Sequence, residues 1–153
     1  AADPEGYPHL VEIHEGKGHW MDREDAVAVP WMASHTRNLR PERIVWVQDD
    51  VTHPRFYWLA VDEPAGRRRM VVERDGQTIR IIEDGGAESL RIRLDDLMLD
   101  LDQDVIVEHG GRELFRGHVP RTLSTLRTTL GERGDPRGIF SAEVVVTIPQ
   151  ESD

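Results

Sequence analysis

The apolar positions along the chain change their period once, and that change divides it. Leu10, Val11 and Ile13 form a short apolar run that predicts a buried strand over 10–14, ending at His14 and followed by the turn-forming Glu15-Gly16-Lys17-Gly18. Asp22 then stands at the N-cap of a predicted helix reaching to about Thr36. Glu24 and Asp25 fall in its first turn, where carboxylates complement the helix dipole. Pro30 breaks this helix or restarts it as a first-turn proline, and Asn38-Leu39-Arg40-Pro41 ends it. From Arg43 onward the period is two. Ile44-Val45-Trp46-Val47, residues 55–61 and Met70-Val71-Val72-Glu73 read as strands. Asp75-Gly76 predicts a tight hairpin into 78–82, and Gly110-Gly111 a second one between Val105-Ile106-Val107-Glu108 and 113–119. Leu90-Arg91-Ile92-Arg93-Leu94 alternates cleanly. Leu123, Leu126 and Leu130 have helical spacing within 120–133, with Gly134 as the stop, and 142–148 makes a last strand. The expected fold is therefore mainly β with two helices: a strand, loop and helix over 1–40, then an antiparallel β-sandwich-like domain over 41–153.

Composition narrows the function classes. At 153 residues the chain suits one domain, at most one and a fraction, and is long enough to bury about two-thirds of its unfolded surface. Its 19 Lys and Arg against 29 Asp and Glu leave a net charge of −10, which repels phosphate backbones and anionic lipid. The one basic run, Arg67-Arg68-Arg69, is too short to offset this and reads as a solvated turn, so no nucleic-acid partner is expected. No apolar stretch approaches the roughly 18 residues of a membrane span, and no membrane partner is expected either. The absence of cysteine excludes disulfides, thiolate metal sites and cysteine nucleophiles. The chain opens on Ala1 and enters a strand, loop and helix within twenty residues, as the middle of a domain does.

Chemistry is expected first at His19. A glycine directly before a histidine, between a buried strand and a capped helix, puts an imidazole at a sheet edge with little steric cover. Imidazole titrates near neutrality, so there it can take a proton from a nucleophile and return it to a leaving group. The competing reading is a surface loop with His19 packed under Trp20. A metal site is not expected. His9, His14 and His19, five apart, share no helix face, and 9 and 14 fall on opposite faces of a strand. Asp95, Asp96, Asp100, Asp102 and Asp104 are the other candidate ligands; Asp100-x-Asp102-x-Asp104 imitates the start of a calcium loop, but Val105 and Gly111 stand where glycine and glutamate are required. An aromatic surface could form from Trp31, Trp46, Tyr57 and Trp58. Alternation places Phe56 and Trp58 on one face of their strand and Tyr57, Leu59 and Val61 on the other.

The stretch from Pro8 to Trp31, with Gly16-Lys17-Gly18-His19, Asp22 and Val29-Pro30-Trp31-Met32, resembles the end of the catalytic domain in α/β-hydrolases. The nearest branch is the prolyl-oligopeptidase and dienelactone-hydrolase-like esterases and peptidases. The resemblance implies that 10–14 is the last sheet strand, 22–36 the last helix, and His19 the base and acid of a Ser-His-Asp triad. The remainder, with Phe56-Tyr57-Trp58-Leu59 and Leu99-Asp100-Leu101-Asp102, resembles the β-rich extension of some bacterial members. None of Ser34, Ser89, Ser124, Ser141 and Ser152 sits in a Gly-x-Ser-x-Gly elbow, and Asp3 is too close to His19 to be the acid. The implied function is thus a carboxyl-terminal part of a serine hydrolase, inactive alone and without a cofactor. Its partner is the remainder of the catalytic domain, and the orphaned strand favours a homodimer or strand exchange. The rival is a non-catalytic β-sandwich interaction module whose first forty residues are a docking arm.

Overall fold

Among the described residues, the period-two stretch from Arg43 onward folds as nine β-strands in two sheets. The computed structural model describes residues 9–150, and the chain divides into two units, Ala1–Asn38 and Leu39–Asp153. Asp3, Pro8 and Ser152 lie outside the described residues. In the second unit the strands are β1 Arg43–Gln48, β2 Arg55–Phe56, β3 Leu59–Ala60, β4 Arg68–Asp75, β5 Thr78–Glu83, β6 Ser89–Leu94, β7 Val105–His109, β8 Arg112–Gly117 and β9 Ala142–Thr147. One sheet has the order β1-β4-β5-β7-β8 and the other β2-β3-β6-β9. Every neighbouring pair is antiparallel except β5 and β7, which run parallel. Alternate residues of the larger sheet, including Ile44, Trp46, Val72, Ile79, Ile81 and Val107, meet Leu59, Leu90, Ile92, Val144 and Val146 of the smaller one in a single buried cluster. The chain is mainly β, with the two α-helices α1 Ala28–Ala33 and α2 Leu123–Arg133 among the described residues.

Register does for the outer face of the larger sheet what burial does for the inner one. Arg43, Glu73, Arg80 and Glu108 stand opposite one another across four neighbouring strands, so the charges alternate along the row. Arg43 pairs with Glu73, and Arg80 Nε lies 3.5 Å from Glu108. Opposite charges on directly paired residues stabilise the sheet, whereas a one-residue slip would turn every inward side chain outward.

Two expectations for this unit are corrected. Residues 55–61 are not one strand: the chain reverses at Tyr57-Trp58, and β2 pairs back on β3. Tyr57 takes a left-handed φ of 52°, which breaks the alternation, so Phe56 and Trp58 do not share a face. Trp58 is fully buried, with Nε1 donating to Pro41 O at 2.9 Å. Phe56 is partly exposed and stacks on Trp46 with ring centroids 6.0 Å apart. The second correction concerns α2. Gly134 stops the helix at φ 63° as expected, whereas its start lies at Leu123 within the expected 120–133, with Thr122 capping the first turn by accepting from Thr125 N. Its leucines, however, do not face the core, and Leu123 is 78% exposed. The helix is oriented instead by Thr129, whose Oγ1 accepts from Phe140 N at 3.0 Å and lies 3.2 Å from Phe140 O, deep in the interior.

The first unit departs further from expectation. No strand forms over 10–14, and Leu10, Val11 and Ile13 are exposed. An isolated strand has no ladder to satisfy its backbone, so apolar alternation alone does not make one. The predicted helix over 22–36 is a 3-10 turn, Met21–Val27, continuing into α1, which closes at Ser34. Pro30 does sit in the first turn of α1.

Replacing Thr129 by Val keeps the shape but leaves the buried Phe140 N–H without an acceptor. The expected cost is about 1–3 kcal/mol, read as a lower urea midpoint at unchanged slope.

Candidate functional site

Gly16, at φ 70°, turns the chain out of 10–14, and the next residues set His19 at the surface. Gly18 O accepts from Met21 N at 3.0 Å, and Trp20 O from Arg23 N at 3.1 Å. These bonds wind Met21, Asp22 and Arg23 into three successive left-handed residues, at φ 44°, 50° and 69°. For residues with a Cβ that conformation costs about 1–2 kcal/mol each, less for aspartate. Asp22 is therefore not the N-cap that its position suggests; the capping position falls to Trp20, without a side-chain bond. The turn is held from outside by charge. Lys17 Nζ lies 2.6 Å from Glu24 Oε1 and 3.3 Å from Asp22 Oδ2, and His14 Nδ1 lies 3.2 Å from Glu24 Oε2. The hydrogen bond from Lys17, with a smaller contribution from His14, holds the Glu24 carboxyl below the usual carboxylate range.

His19 itself is exposed, and its ring meets the ring of Trp20 edge to face, with centroids 5.1 Å apart at 80°. Trp20 is 84% exposed, so the imidazole is not packed away beneath it. His14 is drawn to Glu24 and His19 to Trp20, so the histidines do not converge. Among the described residues no group of three or more His, Asp or Glu could hold a metal ion. None of the described residues 9–38 is buried, although the segment carries Leu10, Val11, Ile13, Trp20, Val27, Val29 and Met32.

The acidic segment after β6 is occupied with its own folding. Asp100 accepts from Asp102 N at 3.0 Å and from Gln103 Nε2 at 2.6 Å, and its backbone is bracketed by Gln77. The Gln103 hydrogen bond, with Asp102 N–H, keeps the Asp100 carboxyl low. Arg121 stands between Asp96 and Asp102, with Nη1 2.7 Å from Asp102 Oδ1, and its hydrogen bond lowers Asp96 in turn. Of the aspartates in this segment, Asp96 and Asp102 thus share a guanidinium, while Asp100 is held by Gln103 and the Asp102 N–H.

A second polar concentration is one that sequence reading missed. On β6, Arg93 lies on the face opposite the core residues Leu90, Ile92 and Leu94, with a side chain only 4% exposed, and it forms a two-pronged pair with Glu132 of α2 at 2.5 and 2.9 Å. Glu143 of β9 takes Arg93 Nε at 3.3 Å and Arg91 Nη1 at 2.6 Å, and Arg91 also reaches Asp62 at 2.9 Å. These groups, with Pro54, Arg55 and Thr128, line an open cleft. Burial pushes Glu132 upward, but the Arg93 hydrogen bond and the charges of Arg93, Arg55 and Arg133 prevail and hold it low. The only signal in the sequence was that Arg93 falls in an alternating strand whose arginines cannot all face water. Because the cations and carboxylates pair among themselves, the cleft fastens α2 to the smaller sheet.

Comparison with protein-family models, with curated proteins and with solved structures finds no match to this chain.

A carboxyl group held low in the folded protein stabilises it above the unfolded pKa, and that stabilisation is lost as pH falls through the folded one. Glu132→Gln is therefore expected to be less stable than the parent at pH 7, by about 1–3 kcal/mol. The gap should close below about pH 4, as read by urea denaturation at the two pH values.

Proposed function

We propose that this chain supplies the histidine of a serine hydrolase of the α/β-hydrolase kind, together with a β accessory unit, and that the nucleophile and acid come from the remainder of the catalytic domain. One observation carries the reading: residues 9–38 bury none of their apolar side chains while holding His19 outward on a glycine-bounded loop. A segment of this composition gains nothing by folding alone, since roughly 25 cal/mol per Å² of apolar surface is recovered only when that surface is covered. It fits a piece of a core that is completed elsewhere.

The chemistry follows from what an exposed imidazole does once a nucleophile is set beside it. The serine hydroxyl attacks an ester or amide carbonyl carbon, and His19 accepts its proton. As the tetrahedral adduct collapses, His19 gives that proton to the departing alcohol or amine. Water then repeats the cycle on the acyl-enzyme, and an aspartate on the second ring nitrogen fixes the tautomer. No cofactor enters this sequence. A second reading, a non-catalytic β-sandwich interaction module, draws on the core of the Leu39–Asp153 unit, which is closed within 44–148.

Fluorophosphonate labelling of the full gene product, read by intact mass, separates the two. The hydrolase reading expects one adduct on a polypeptide larger than 17.5 kDa. It also expects His19→Ala to lower turnover by at least about 10³-fold, while stability stays within about 0.5 kcal/mol because the residue is exposed. An adduct formed at an undiminished rate in His19→Ala removes His19 from the triad; no adduct at all leaves the interaction module. By itself the 153-residue chain should self-associate through the uncovered side chains of 9–32. A monomer at every concentration in light scattering would count against that association.

A further inference from the structure

The cleft at Arg93 is self-neutralised by Glu132, Glu143 and Asp62. The exposed leucines of α2 have nothing in the structure to say what covers them. The left-handed run beside His19 carries more, because sequence and conformation disagree there in a directed way.

Met21, Asp22 and Arg23 are all left-handed, although none is glycine. Residues are held in such a state when their surroundings over-determine it, yet no residue of 9–38 is buried, so packing does not supply the constraint. Charge supplies it instead. Lys17 Nζ lies between Asp22 Oδ2 at 3.3 Å and Glu24 Oε1 at 2.6 Å, with His14 Nδ1 on the other Glu24 oxygen at 3.2 Å. The same residues encode a different conformation: Asp22 as N-cap, Glu24 and Asp25 in a first turn, and right-handed helix continuing into α1 Ala28–Ala33.

We infer that residues 18–27 are a two-state element that sets the position of His19. In one state the Lys17 clamp holds the left-handed turn. In the other, Asp22 exchanges Lys17 for backbone N–H groups of its own first turn, Met21–Arg23 become right-handed, and the helix runs unbroken into α1. His19, two residues before Met21, is carried with the change. The inference rests on the hydrolase reading for what selects the second state: cover of the apolar side chains of 9–32 by the rest of the catalytic domain. The histidine would then reach its working orientation only in the assembled enzyme.

The test is solution NMR of selectively labelled Met21 and Arg23, because a positive φ shortens the intraresidue HN–Hα distance and gives a strong cross-peak that a right-handed helix lacks. Strong cross-peaks are expected in the 153-residue chain, and their loss in the full gene product. Lys17→Ala should weaken them in the shorter chain. Equal cross-peaks in the two proteins, weak ones in the shorter chain, or no response to Lys17→Ala would each overturn the switch. The readout needs no turnover, so an absent fluorophosphonate adduct and unchanged cross-peaks are separate failures, one of the hydrolase reading and one of the switch.

Discussion

Phe140 is where the β unit is tied together. Its ring is wholly buried, and the guanidinium carbons of Arg40 and Arg133 stand 5.4 and 5.8 Å from its centroid. Its backbone is joined at both N and O to the single hydroxyl of Thr129. Each cation then reaches onward. Arg40 pairs with Asp95 and donates to Arg137 O and Ile139 O, while Arg133 donates to Tyr57 O at the reversal between β2 and β3. One aromatic ring thereby connects the entry to β1, the turn after β6, the inner side of α2 and the β2–β3 hairpin. Desolvated cation–π contacts are worth about 2 kcal/mol, and these are also directional. The bonds of Thr129 Oγ1 to Phe140 N and O explain why α2 presents threonine rather than leucine to the interior.

What could be read from the sequence was local. Gly76 and the pair Gly110-Gly111 sit at positive φ in two-residue hairpin loops, the conformation for which glycine is chosen. Gly134 ends α2 as its chemistry dictates. The non-local features were not legible. The parallel pairing of β5 with β7 skips over β6, and no hairpin rule specifies it. The reversal at Tyr57 needs a left-handed tyrosine, which propensity argues against. Over 10–14 the apolar run was visible but its consequence was not, since a strand is made by its neighbour as much as by its own residues. At His19 the exposed loop was legible, whereas the left-handed residues that follow it were not.

The charge of the protein reads differently once its pairs are placed. A net −10 suggests an acidic surface open to cations, yet much of the acid is already engaged. Arg121 bridges Asp96 and Asp102, Arg93 and Arg91 take Glu132 and Glu143, and the row Arg43, Glu73, Arg80, Glu108 alternates across the larger sheet. Arginine suits these places because a planar fork satisfies two carboxylate oxygens at once and stays charged when partly buried. The chain carries one lysine, and it is the residue on the His19 loop. A flexible ammonium holds a turn as a point charge without fixing its geometry, which is the property a clamp needs if it is to be released.

On the proposed reading, stability and chemistry are placed in different parts of the chain. The Leu39–Asp153 unit encloses its own core, so it has little to gain from a partner in order to fold. The first unit has the opposite character: uncovered apolar side chains, a strained turn, and an imidazole whose ring contact is another exposed ring. Working elements are commonly drawn from the weakly stabilised end of a fold, because a group that must be positioned by a partner cannot already be fixed by its own neighbours. For a general base the point is sharper. An imidazole transfers a proton in a chosen direction only when something on its second nitrogen selects the tautomer. On the proposed reading, the acid that does this arrives with the surface that covers Leu10, Val11 and Ile13. Burial of the loop and activation of His19 would then be one event, and an unassembled chain would hold a histidine without holding a catalyst.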